Sequence, residues 1–141
     1  MERRSTTRKF WSGSTYDGEI VNGVRHGKGT KIWPNGDRYE GEWRSDKKHG
    51  QGIMKEGDSI YEGEWRKGAK EGKGKLTFIN GNTYEGEWVT NQAHGKGVFQ
   101  NINGSVFEGE YDMGECEGFG IYTFSSGDKY EVCVCERERE S

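Results

Sequence analysis

The chain has 141 residues, 29% of them hydrophobic and 32% charged, with a formal net charge of −3. So little apolar material cannot fill a conventional core, and the acidic balance offers no electrostatic footprint for nucleic acid. Disorder is excluded by the rest of the composition, because 5 Trp, 7 Tyr, 6 Phe and 24 Gly recur at regular intervals.

Taken from the start, residues 1–9 form a basic polar tail carrying Arg3, Arg4, Arg8 and Lys9, which reads as solvated. Phe10 and Gly13 then stand six and three residues before Tyr16, as Phe78 and Gly81 stand before Tyr84. Residues 10–15 are therefore the back half of a degenerate repeat that caps an array. Five full units begin at Tyr16, Tyr39, Tyr61, Tyr84 and Phe107, spaced 22 or 23 residues apart, and a sixth fades after Tyr130. A fixed period of that length marks a repeat architecture. The array covers residues 10–135, and residues 136–141 are a charged tail.

Each unit opens on the same word. Tyr39-Glu40-Gly41-Glu42-Trp43 recurs unchanged at residues 61–65 and 84–88, with variants at 16–20 and 107–111. Counted from the leading aromatic, glycine returns at the second, eleventh and thirteenth positions. These are Gly41, Gly50 and Gly52, then Gly63, Gly72 and Gly74, then Gly86, Gly95 and Gly97, and finally Gly109, Gly118 and Gly120. Turn formers occupy the seventh position: Gly23, Asp46, Gly68, Asn91 and Gly114. The second unit is one residue short and carries Gly57, so its closing turn must be rebuilt.

Within a unit the apolar period is two, the signature of strands, and the loop between the two runs makes each unit a β-hairpin. Tyr61, Gly63 and Trp65 share one face with Gly72, Gly74, Leu76 and Phe78, while Glu62, Glu64, Lys73 and Lys75 take the other. A straight register sets Trp65 opposite Gly72, Gly63 opposite Gly74 and Tyr61 opposite Leu76. Continued onward, it lays Trp88 beside Gly74 and Gly95, so that each indole covers bare backbone. It also pairs Glu19 with Lys28, Glu64 with Lys73 and Glu87 with Lys96, exposed contacts of roughly 0.2–1 kcal/mol each. No second layer is encoded to cover the aromatic face. Five units would therefore present a trough about 50 Å long, and exposed apolar surface of that kind marks a partner site. The anchors expected in it are Tyr39, Trp43, Tyr61, Trp65, Tyr84, Trp88, Phe107 and Tyr111.

The words Tyr39–Trp43, His26–Gly29 with His94–Gly97, and Pro34–Asp37 together resemble the MORN (membrane occupation and recognition nexus) repeat. The match runs over about residues 10–132. The resemblance implies an all-β fold: an elongated, single-layer, twisted antiparallel sheet of tandem hairpins that serves as an interaction module. Members of that family occur in ciliary radial-spoke and cytoskeletal scaffolds. They bind peptides or helices, and phospholipid binding is a second proposed mode. This sequence departs from the pattern at Ile20, where Trp is usual, in its short second unit, and after Tyr130.

No catalytic constellation competes with that reading. His26, His49 and His94 all fall at the tenth position of a unit, which other units fill with Glu71 and Glu117, so it is a turn position rather than a base. The carboxylates recur in every unit, whereas acid–base catalysis needs one asymmetric site. Cys133-x-Cys135 fits strand alternation as well as half a metal site, and no second ligand pair lies near it. Neither a metal nor another cofactor is expected. With no apolar run long enough for a signal core or a membrane span, the expected location is cytoplasmic.

The expected function is a non-catalytic scaffold or adaptor that binds a protein segment in the aromatic trough. Two alternatives accompany it: a peripheral module with weak contact to anionic lipid, and an accessory region of a larger enzyme. The unpaired edges at the two ends of the sheet also offer a route to homodimers.

Overall fold

The structure, a computed structural model, describes residues 3–10 and 12–134. They form twelve strands: β1 (Arg3–Lys9), β2 (Thr15–Val21), β3 (Val24–Ile32), β4 (Arg38–Arg44), β5 (Lys47–Glu56), β6 (Ser59–Arg66), β7 (Ala69–Thr77), β8 (Thr83–Val89), β9 (Gln92–Gln100), β10 (Val106–Asp112), β11 (Glu115–Thr123) and β12 (Lys129–Val134). All lie in one sheet in chain order, each strand antiparallel to the next. The fold is thus all-β, a single layer of hairpins, as the alternation and the resemblance require.

Two-residue turns close the hairpins within each unit. Both turn residues take positive φ, as at Lys67 (50°) and Gly68 (86°) or Thr90 (44°) and Asn91 (68°). That is the type I′ geometry whose twist matches the flanking strands. The second unit ends differently. Gly57 (φ 60°) and Asp58 alone link Glu56 to Ser59, and this shorter hairpin absorbs the missing residue.

The expected register holds in its middle and fails beside the tryptophan. Gly63 does pair with Gly74 and Tyr61 with Leu76, but Trp65 pairs with Lys70, not Gly72. Between those pairs Glu64 alone faces Glu71, Gly72 and Lys73, so β7 bulges there, with Gly72 at φ +80°. The cause lies in two competing demands. The two-residue turn sets Trp65 against Lys70, while the close approach of Gly63 and Gly74 fixes the far end, and the bulge reconciles them. Trp88 likewise pairs with Gly72 on one side and Ala93 on the other, not with Gly74 and Gly95.

A second correction concerns the N-terminus. Residues 3–9, expected as a solvated tail, form strand β1 and pair residue for residue with β2, from Arg3 with Val21 to Lys9 with Thr15. They occupy the place of the second strand of a preceding hairpin, the same half-unit that Phe10 signals. At the other end, the thiols of Cys133 and Cys135 and the charged tail 136–141 lie outside what the structure describes.

Candidate functional site

The aromatic face is the core. Tyr16, Tyr39, Tyr61 and Tyr84 alternate with Trp43, Trp65 and Trp88 in an unbroken edge-to-face ladder with ring centroids 5.0–5.6 Å apart. It ends on Tyr111, 4.9 Å from Tyr84. Each phenol lies across its own hairpin and donates to the backbone carbonyl of the second glutamate: Tyr39 to Glu42 (2.9 Å), Tyr61 to Glu64 (2.9 Å) and Tyr84 to Glu87 (3.1 Å). Each indole reaches the preceding unit, Trp43 donating to Gly29 (3.0 Å), Trp65 to Gly52 (3.2 Å) and Trp88 to Gly74 (3.0 Å). The tyrosine is therefore what covers the glycine. A Cβ on Gly74 would sit inside the Tyr61 phenol, and one on Gly63 would enter the backbone of Gly74.

These rings offer little surface to solvent. Of the expected anchors, Tyr39, Trp43, Tyr61, Trp65, Tyr84, Trp88 and Tyr111 are 0–9% exposed, and Phe107 is half-buried. They pack against one another and not toward solvent, so the sheet needs no second layer of secondary structure. Cations complete the cover. The Arg25 guanidinium stacks 4.6 Å from the Trp43 ring, the Lys48 ammonium 5.1 Å from Trp65, and the Lys70 ammonium 5.5 Å from Tyr61. Long stems over aromatic surface with charged ends beyond it suit this position. Burial holds Lys48 below the ordinary lysine value, reinforced by Lys70 and Arg25 and opposed by Glu56. Burial lowers Lys70 in the same way, again against Glu56. The phenols move upward for the same reason, Tyr16 and Tyr84 to about 12.

The glutamates do something other than pair with lysines. The Glu64 carboxylate turns into the bulge and accepts the backbone N–H of Lys73 at 2.6 Å. Glu19 does the same for Lys28 (2.6 Å), Glu42 for Gln51 (2.6 Å) and Glu87 for Lys96 (2.9 Å). A carboxylate on a backbone N–H is a charge-assisted bond that outlasts an exposed ion pair. The recurring histidine position is explained too. His26 Nδ1 accepts the N–H of Ser45 (3.2 Å) in the next unit, and Glu71 accepts that of Thr90 (2.8 Å). At these two positions the side chain supplies an acceptor to the neighbouring turn, whereas His94 Nδ1 lies 3.5 Å from the Asp112 carboxylate.

A long accessible concavity lies on the opposite, charged face. A row of backbone from paired glycines forms its floor, and glutamates and lysines stand along both sides. One section of about 670 Å³ lies over Gly29 and Gly41, between Lys28, Glu40 and Glu42. The next, about 800 Å³, lies over Gly63, Gly74 and Gly86 with Glu62, Glu64, Lys73 and Lys75 beside it. A third, about 520 Å³, lies over Gly97, Gly109 and Gly120. The sections follow one another across β3 to β12. The alternation pattern had assigned this face to solubility alone, because a charged row gives no sign in sequence of the channel between two such rows.

A single-layer sheet of five near-identical hairpins, held by a buried aromatic ladder and grooved on its charged side, is a β-hairpin repeat protein. The MORN repeat family model matches residues 16–38, 39–57, 61–83, 84–106 and 107–129, and the chain belongs to that family. The short second match ends at Gly57, where the turn is rebuilt. MORN repeats are in general protein- or membrane-interaction modules. No curated protein matches the chain.

Proposed function

We propose that the chain is a non-catalytic scaffold or adaptor that holds an extended or helical segment of a partner protein along the groove of its charged face. The observation behind this reading is the continuity of that groove over successive glycine pairs. Family membership supports an interaction role, and the burial of the aromatic rings favours the charged face over the expected trough. Glutamates outnumber lysines along the walls, which disfavours an anionic lipid surface there. A cytoskeletal or ciliary assembly is the setting that the resemblance suggests.

Proximity labelling in cells tests the reading. Wild-type chain is compared with a Glu62→Lys, Glu85→Lys double variant, whose altered side chains are exposed and touch no buried ring. Loss of specific neighbours at unchanged thermal stability is expected. An identical set of labelled neighbours would remove the groove from consideration.

A further inference from the structure

The repeat supplies its own comparison, because equivalent positions recur in successive hairpins of one plan. The twelfth position of a unit, on one wall of the groove, is Lys28, Gln51, Lys73 and Lys96 in the first four units and Phe119 in the fifth. Phe119 is 66% exposed, and it stands near Ile121 (45%) and Val98 (36%). Its cross-strand neighbour differs as well: Lys28, Gln51, Lys73 and Lys96 each stand opposite a glutamate of the next unit, whereas Phe119 stands opposite Cys133. Apolar groups gathered on an exposed face mark contact with another molecule.

The surroundings define what that molecule carries. In register, Val98 lies between Glu85 and Glu108, and Ile121 lies between Glu108 and Glu131. Glu110 and Lys96 complete the rim, giving four carboxylates to one ammonium. Over the middle of the groove Glu62, Glu64, Glu85 and Glu87 face Lys73, Lys75 and Lys96, four to three, with no apolar side chain among them. The last third of the groove is thus both more acidic and more apolar than the section beside it.

We propose that this third docks a basic segment of a partner protein, seating a bulky apolar side chain on Phe119, Ile121 and Val98 while flanking lysines or arginines meet the glutamates. The inference rests on the groove reading and narrows it to one end and one partner chemistry. Desolvated apolar contact supplies the anchor, and the acidic rim selects the sign of the approaching charge.

The test uses the full chain and three labelled nine-residue peptides, followed by fluorescence anisotropy. One peptide alternates lysine and leucine, one replaces lysine by glutamate, and one replaces leucine by serine. The lysine–leucine peptide should bind at least tenfold more tightly than the other two. Phe119→Lys, which installs the residue type of positions 28, 73 and 96, should weaken that binding at least tenfold with an unchanged melting profile. Lys73→Gln, in the neighbouring section of the groove, should change it less than threefold. Equal binding by Phe119→Lys, equal binding of the glutamate peptide, or no binding of the lysine–leucine peptide overturns the proposal. If Lys73→Gln weakens binding as much as Phe119→Lys does, the wider groove reading stands and the assignment to its C-terminal third falls. Oligomers in sedimentation that Phe119→Lys dissociates would instead make a second copy the occupant.

Discussion

The three inner units from Tyr39 to Val106 and the last unit from Phe107 share one hairpin plan and differ in the register of the bulge and in the side-chain bonds that fix it. An inner unit has a phenol donating to a glutamate carbonyl, an indole donating to the previous unit, and a carboxylate bonded inside a bulge. The last unit starts with Phe107, which has no hydroxyl, and puts Tyr111 where the indole would be. Its bulge glycine, Gly118, has nothing within 4 Å of where a Cβ would stand, whereas Gly72 has the Glu64 carboxylate at 2.6 Å. In place of the ladder, Phe107, Tyr122 and Phe124 form a tilted run that ends edge-to-face on Tyr130 and leaves Phe124 and Tyr130 exposed. Repetition in the inner units is thus enforced by interlocking bonds that admit few substitutions. Where those bonds lapse, the surface is free to become particular to this chain.

Alkali should break the buried ladder, which runs through the inner units and reaches the last one only at Tyr111. A phenol whose folded pKa lies above its unfolded value keeps its proton in the folded chain after the unfolded chain has lost it, so stability is full below pH 10 and declines as pH rises toward the folded value. Tyr16 and Tyr84, raised to about 12, each forfeit on the order of 2 kcal/mol across that window. Buried Tyr39, Tyr61 and Tyr111 shift in the same direction. The phenolate absorbance of these five rings should appear together with loss of the β-sheet circular dichroism signal. Titration of every tyrosine near pH 10 with the sheet intact would contradict the buried ladder.

The next largest difference separates two glycines. Gly63→Ala drives a methyl group into the backbone of Gly74 and Lys73, which cannot move, and should cost about 3 kcal/mol. Gly109→Ala meets mainly the Phe107 ring at 2.8 Å, and the nearest backbone, Gly120 Cα, is 3.5 Å away. With no hydroxyl bond to hold it the ring can swing aside, and the cost should be about 1 kcal/mol. Urea unfolding followed by tryptophan fluorescence measures both, and equal losses would mean that the end unit is as tightly locked as the others.

Smaller effects follow from restoring or removing single bonds. Glu64→Gln exchanges a charge-assisted bond for a neutral one and should destabilise by about 1 kcal/mol. Glu110→Gln, at a bulge without that contact, should leave the urea midpoint unchanged. The double change Phe107→Tyr with Tyr111→Trp rebuilds an inner unit at the end of the array and should stabilise it by roughly 1 kcal/mol, about the worth of one net hydrogen bond. A fall in stability would show that the last unit has its own packing and not merely a weakened copy.

Much of this was legible in the sequence, and the limits have physical reasons. The period, the hairpins, the Gly63–Gly74 pairing and the rebuilt turn at Gly57 follow from spacing and turn chemistry. The two faces also follow, because the bulge at Gly72 adds two residues to one strand and leaves alternation intact. For the same reason alternation could not reveal the bulge or place Trp65 against Lys70. The signal that could have done so was Lys67-Gly68, a pair suited to a two-residue turn, which conflicts with the straight register. Burial of Tyr61 and Trp65 was hidden because single-layer sheets lack a layer to bury against. Here the rings stand on edge against each other, and Arg25, Lys48 and Lys70 lie over them. Strand β1 has no apolar residue to announce it.

The indole bonds have one more consequence. Trp43, Trp65 and Trp88 each reach back a single unit, and the turn contacts Arg25–Asp46 and Lys70–Asn91 span the same single step. Nothing in the ladder measures distance beyond its nearest neighbour. The molecule is therefore graduated like a ruler in divisions of two strands, about 10 Å each, and deleting residues 61–83 should yield a folded chain one division shorter.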